Sequence, residues 1–195
     1  MAIPTEPIGS IPRPQPLLDG MAGFAAGTIN RQELDDLRES ALKDTISRFE
    51  QTGSPVITDG EQSKPSFITY PIDGLAALAP DGVADAYLNK AKTFTTHPVK
   101  QAVIAPSAVS LIYPGDGLPG YPREKFIADL VDQSAADIRR CLDAGAAAVQ
   151  LDFTEGRLSV KLDPSKGLLQ QFVELNNQVL DRFTEQERQL IGVHT

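Results

Sequence analysis

Apolar runs that stop on polar residues alternate along this chain with long stretches of helical periodicity, and that alternation decides the fold class. The runs are Val56-Ile57-Thr58, residues 99–106 with Val99, Ala102, Val103 and Ile104, residues 147–153 (Ala-Ala-Val-Gln-Leu-Asp-Phe), and residues 190–194 (Leu-Ile-Gly-Val-His). They recur about 40 to 50 residues apart. Short apolar runs separated by helices are buried strands of a parallel sheet, joined by right-handed crossovers. The expected class is therefore α/β, built of parallel βα repeats.

The helical stretches carry their own start and stop signals. Residues 30–52 open on Asn30 with Glu33 three residues on, the pattern of a capping box, and place Leu34, Leu37, Ala41, Leu42, Ile46 and Phe49 on one face before Gly53. Residues 85–94 and 122–144 repeat the pattern, the second with Phe126, Leu130, Val131, Ala135, Ile138 and Leu142, and with Gly145 after it. Cys141 lies near that face and is expected to be a packed core thiol. Asp163-Pro164 is expected to start the next helix, and Thr184 with Glu187 forms a second capping box. Residues 4–16 form a proline-rich arm, read either as irregular or as a first strand whose Gly9 lets a ligand approach the backbone. Residues 64–82 and 113–120 are loops punctuated by proline and glycine.

Chain length separates the possible architectures. A closed eight-stranded barrel takes at least about 200 residues and typically about 250. With 195 residues and about four and a half repeats, the chain reads as TIM-barrel-like, about the first half of a (β/α)8 barrel in one domain spanning residues 1–195. A complete five-stranded doubly wound sheet is the alternative, although no glycine-rich phosphate loop follows any of the runs. Half a barrel leaves strand edges unpaired, so self-association through those edges is expected.

The net charge of −8 argues against nucleic acid or an anionic membrane as a partner. The start has neither a basic nor an apolar signal region, and the single cysteine cannot form an internal disulfide; a reducing cytoplasm is the expected location.

Chemistry is expected where the strands end, since α/β enzymes gather catalytic groups and metal ligands at the carboxyl ends of parallel strands. Residues 56–58 run into Asp59-Gly60-Glu61-Gln62; the fourth run delivers Asp152, then Glu155 and Arg157; the last delivers His194. An aspartate inside an apolar strand is costly unless it is paired or functional.

Taken in order, Ile8-Gly9-Ser10, Asp59-Gly60-Glu61-Gln62, Gln150-Leu151-Asp152 and Gly192-Val193-His194-Thr195 resemble the catalytic barrel of cobalamin-independent methionine synthases. Those are zinc-dependent TIM-barrel enzymes of methionine biosynthesis that move a methyl group from a folate to the thiol of homocysteine. The resemblance implies that Ile8, Gly9 and Ser10 hold the amino-acid substrate's backbone. It implies that Glu61 and Asp152 hold its amine, as the catalytic carboxylates, and that His194 is the first zinc ligand of a His-x-Cys motif. Glu155 joins them as a substrate-binding candidate. The partners implied are a small-molecule thiol and a methylated folate donor. The family's cysteine would fall just past Thr195, and its later glutamate and cysteine ligands are not in this sequence, so the 195-residue chain alone is expected neither to hold catalytic zinc nor to turn over.

Two departures from the family's pattern stand out, and the first points to a divergent member. Asp-Phe-Thr-Glu at residues 152–155 stands where the synthases read Asp-Glu-Pro, and the loop at residues 78–85 looks short of a hairpin that relatives carry. Two further readings stay open. One is a non-catalytic half-barrel that pairs with another chain. The other is a related thiol-handling or decarboxylating barrel, such as the coenzyme M transferases or uroporphyrinogen decarboxylase relatives.

Overall fold

The structure is a computed structural model that describes residues 5–68, 70–71 and 84–195. The proposed shortening at residues 78–85 lies, up to residue 83, outside the described residues. In chain order the elements are α1 (Gln15–Ala25), α2 (Arg31–Gln51), α3 (Ala84–Lys92), β1 (Lys100–Ile104), α4 (Pro106–Ser110), α5 (Arg123–Asp143), β2 (Ala148–Asp152), α6 (Gly156–Leu162), α7 (Gly167–Leu180), α8 (Glu185–Arg188) and β3 (Ile191–His194). The class is α/β, as expected. Among the described residues the sheet has three strands, all parallel, in the order β1-β2-β3.

The run at residues 56–58 is not a strand. Ile57 alone bridges Val99, donating its N–H to Pro98 and accepting from the Lys100 N–H at 2.8 Å. Pro55 and Pro98 lack the amide hydrogens that a longer ladder would use. Beyond Ile57 the arm lies alongside without becoming a strand: the Thr58 hydroxyl donates to the Gly9 carbonyl at 3.1 Å, and the Ile11 N–H to the Gly60 carbonyl at 3.2 Å.

Both capping boxes form, at Asn30 with Glu33 and at Thr184 with Glu187. Gly53 and Gly145 follow α2 and α5 with φ of 73° and 76°, the left-handed geometry that closes a helix. Asp163 does not cap α7. Lys166 sits at φ 67° and delays the helix to Gly167, and Asp163 instead accepts from the Leu168 N–H at 2.8 Å across the intervening turn. Three helices lie outside the sequence expectation: α1, α4 and α6. α1 packs on α2 at Gly20, where even a Cβ would come within 2.3 Å of Leu37 Cδ1.

Pairing in register sorts the strand residues onto two faces. Gln101, Val103, Val149 and Leu151 turn outward to the helices and are buried there, with α5 covering β1 and β2. Ile138, Cys141, Phe172 and Val179 fill the same core. Burial pushes the Cys141 thiol up, consistent with a packed thiol. The opposite face carries Lys100, Ala102, Ile104, Gln150, Asp152, Gly192 and His194. On β3, which pairs on one side only among the described residues, Val193 is half exposed, as is Leu190 just before it. No helix among the described residues is long and apolar enough to cross a membrane.

Candidate functional site at the carboxyl edge of the sheet

The turn after Ile57 is built from its own polar side chains. Thr58 Oγ1 accepts from the Gly60 N–H and Asp59 Oδ1 from the Glu61 N–H at 2.9 Å. Gly60 and Glu61 are both left-handed, with φ of 62° and 56°. For a glutamate that conformation is uncommon, and the neighbours must impose it. They do so through Lys64. Its ammonium donates to Glu61 Oε1 and to the Ala102 carbonyl, each at 2.8 Å, and lies 4.3 Å from the centre of the Tyr70 ring. Glu61 and Lys64 are 5% and 1% exposed, so this is a buried ion pair. Arg13 Nη2 clamps the turn from the arm, donating to the carbonyls of Glu61 and Lys64. One oxygen of Glu61 is therefore committed to Lys64. Asp59 is also buried, its Oδ2 has no partner among the described residues, and burial raises its carboxyl above the usual range.

Asp152 and His194 close adjacent strands and pair in register. His194 Nδ1 stands 3.4 Å from Asp152 Oδ1, which also accepts from Gln150 Nε2 at 2.7 Å. Burial raises the Asp152 carboxyl, offset by the Gln150 hydrogen bond; Glu61 raises it further and Lys64 and His194 lower it, which places these charges within one electrostatic neighbourhood. The imidazole is about one third exposed. With Nδ1 turned toward the Asp152 carboxylate, Nε2 is the ring nitrogen left open to a ligand. Metal-binding histidines commonly adopt this arrangement, with a carboxylate behind the ring. His194 thus fits a zinc ligand, although no three His, Cys, Asp or Glu side chains converge among the described residues. The other histidine, His97, pairs with Glu50 beyond the opposite end of β1.

The remaining candidates sit around this edge. Gly9 is buried against the sheet, where a Cβ would meet Ala102 Cβ at 3.5 Å and Gln150 Nε2 at 3.8 Å, ordinary contact distances. Gly9 therefore seats the arm on the sheet. The Ile8 side chain is 58% exposed. Ser10 lines a cavity of about 420 Å³ with Ile11, Pro12, Arg13, Leu18, Gly60, Glu61 and Phe67.

Glu155 is buried, and its Oε1 meets the Ser107 hydroxyl, which also reaches Asn176 Oδ1 at 2.9 Å. One hydroxyl hydrogen cannot serve both acceptors. A protonated Glu155 resolves this by donating to Ser107, which then donates to Asn176, and burial raises the Glu155 carboxyl in that direction. A raised folded value means stability that is complete below the unfolded carboxyl value of about 4.3 and is lost as pH rises through the folded one. Glu155→Gln keeps the donor without the charge. It is expected to match the unaltered protein in acid and to exceed its stability increasingly toward neutral pH, read from urea midpoints across pH; a constant gap would contradict this. Ser107 and Asn176 were missed from sequence. An asparagine among Phe172, Leu175 and Val179 of α7 was the available signal.

No protein-family model and no curated protein matches the chain. Solved structures do. One is a Listeria monocytogenes protein assigned as a vitamin-B12 independent methionine synthase, with TM-score 0.72 and 22% identity, covering 100% of this chain and 66% of that one. Another is a B12-independent methionine synthase from Shewanella sp. W3-18-1 in complex with selenomethionine, with TM-score 0.64 and 16% identity, covering 93% of this chain and 59% of that one. The chain shares the fold of these proteins while spanning 66% and 59% of their length.

Proposed function

We propose that the chain is the amino-acid-binding part of a zinc-dependent, cobalamin-independent methyltransferase of the methionine-synthase kind, on a partial (β/α)8 barrel. The observation that carries the reading is the in-register pair of Asp152 and His194 at the ends of adjacent parallel strands, with Oδ1 and Nδ1 3.4 Å apart. In this reading Asp152 and the free oxygen of Glu61 hold the substrate ammonium. Residues 8–10 hold its carboxylate end, and Glu155 is a further substrate-binding candidate. His194 contributes one zinc ligand through Nε2. Zinc, when bound, keeps the substrate sulfur deprotonated at neutral pH, where a free thiol has a pKa of about 8.5. The sulfur gives its electron pair to the methyl carbon as the carbon–nitrogen bond of the methylated folate breaks, and the donor nitrogen takes up a proton.

The test is calorimetric. L-Homocysteine and L-methionine are expected to bind the chain, and Asp152→Asn to weaken both by about 10- to 100-fold, the worth of a hydrogen bond to a charged group. Absence of binding, or equal binding by Asp152→Asn, would overturn the assignment.

A further inference from the structure

The polar face of the sheet carries a chain of contacts that the substrate-holding roles above leave unused. Glu6 on the arm meets Lys100 at the start of β1, with Oε1 and Nζ 3.0 Å apart. Lys100 Nζ donates to Gln150 Oε1 at 3.0 Å, Gln150 Nε2 donates to Asp152 Oδ1 at 2.7 Å, and Asp152 Oδ1 faces His194 Nδ1 at 3.4 Å. Lys100 and Gln150 are 4% and 7% exposed. We propose that Lys100 and Gln150 are positioning residues: the Lys100 ammonium fixes the direction of the Gln150 carboxamide, which in turn holds the Asp152 carboxylate and, through it, the His194 ring.

The two ends of a carboxamide are not interchangeable. Its oxygen only accepts and its nitrogen only donates. In the observed direction the oxygen meets an ammonium and the nitrogen meets a carboxylate. Turned over, the amide would set donor against donor at Lys100 and acceptor against acceptor at Asp152, losing both bonds together. A buried ammonium is an expensive way to attach an arm, since an apolar side chain of similar length would pack there without desolvating a charge. What the ammonium adds is direction. The surroundings preserve it. Ala102, paired with Gln150 in register, is small, and Gly9 covers both, so the amide lies out of water where each bond is stronger. The bond from Gln150 fixes Asp152 through Oδ1, the oxygen that also faces His194.

This inference rests on Asp152 and His194 being the working groups, yet its test requires no ligand. In the metal-free chain with 15N-labelled side chains, one Gln150 Nε2 proton should be protected from exchange and His194 should carry its hydrogen on Nδ1. Lys100→Met is expected to speed exchange of that proton about tenfold or more, as loss of a charge-assisted hydrogen bond implies, and to mix the His194 tautomers. Lys100→Arg, which restores a donor, should keep both signatures. Gln150→Met supplies a second variant should Lys100→Met fail to fold, and it should mix the His194 tautomers as well. A Lys100 that merely supports packing would lower stability and move neither signal. Folded Lys100→Met with Gln150 protection and the His194 tautomer unchanged would overturn the inference, as would Gln150→Met with an unchanged His194. Methionine binding tests the assignment of Asp152 separately, so the two failures can be told apart.

Discussion

Lys64→Met is expected to cost about 3–5 kcal/mol of folding free energy, the price of leaving one member of a buried ion pair alone. Lys64 is 1% exposed and its ammonium has three neighbours: Glu61 Oε1, the Ala102 carbonyl and the Tyr70 ring. Methionine keeps the length of the side chain and removes the charge, so packing changes little. What remains is Glu61, 5% exposed, its carboxylate without a paired cation among the described residues, in a turn whose Asp59 is already buried. The buried pair itself is weak evidence for stability, because desolvating two charges offsets most of their attraction. The double variant Lys64→Met/Glu61→Met should therefore recover most of the loss. Urea unfolding of the single and double variants measures both. A single variant within about 1 kcal/mol of the unaltered protein would contradict the pair's role, since that is the range of an exposed pair.

Gly60→Ala should cost about 2–4 kcal/mol, from two separable causes. At φ 62° an alanine is strained whatever space it has. In addition its Cβ would lie 2.7 Å from Thr45 Cγ2 on α2 and 3.0 Å from Ile11 Cγ1 on the arm. Both neighbours are fixed: Thr45 is buried, and the Ile11 N–H is bonded to the Gly60 carbonyl. Trimming the contact with Thr45→Ser should return part of the loss and leave the backbone share in place. Full recovery in Gly60→Ala/Thr45→Ser would show that the left-handed turn is unimportant. The same turn sets where Glu61 points, so Gly60→Ala should also weaken amino-acid binding.

The elements that the sequence disclosed are those fixed by local chemistry. The capping boxes of Asn30 and Thr184, the glycines after α2 and α5, and the apolar runs of β1, β2 and β3 each depend on residues within a few positions of one another. Asp152 and His194 were legible because each closes an apolar run, and the parallel register then brings them together. What was not legible depends on distant partners. Lys64 falls in a stretch read as loop, and its burial is imposed by Glu61, Tyr70 and a carbonyl 38 residues away. Lys100 and Gln150 sit 50 residues apart in sequence, and only pairing of their strands reveals that they share a face. α1 lies outside the expected elements, and what places it is a distant contact: Gly20 is the point where it comes close to Leu37 of α2. The strand expected at residues 56–58 shrank to a bridge because Pro55 and Pro98 remove the donors before it and the chain turns at Asp59-Gly60 after it.

The central claim, that the Asp152–His194 edge belongs to a zinc-dependent thiol methyltransferase, meets its most direct test in a protein that carries this chain together with residues beyond Thr195. Zinc content by elemental analysis and methyl transfer from methylated folate to homocysteine are measured with and without His194→Ala. Stoichiometric zinc and methyl transfer are expected in the unaltered protein. Both should be lost in His194→Ala with little change in unfolding, because a catalytic site holds its metal with three protein ligands and this partly exposed strand-end imidazole contributes little packing. A His194→Ala protein that keeps its zinc and its methyl transfer would contradict it.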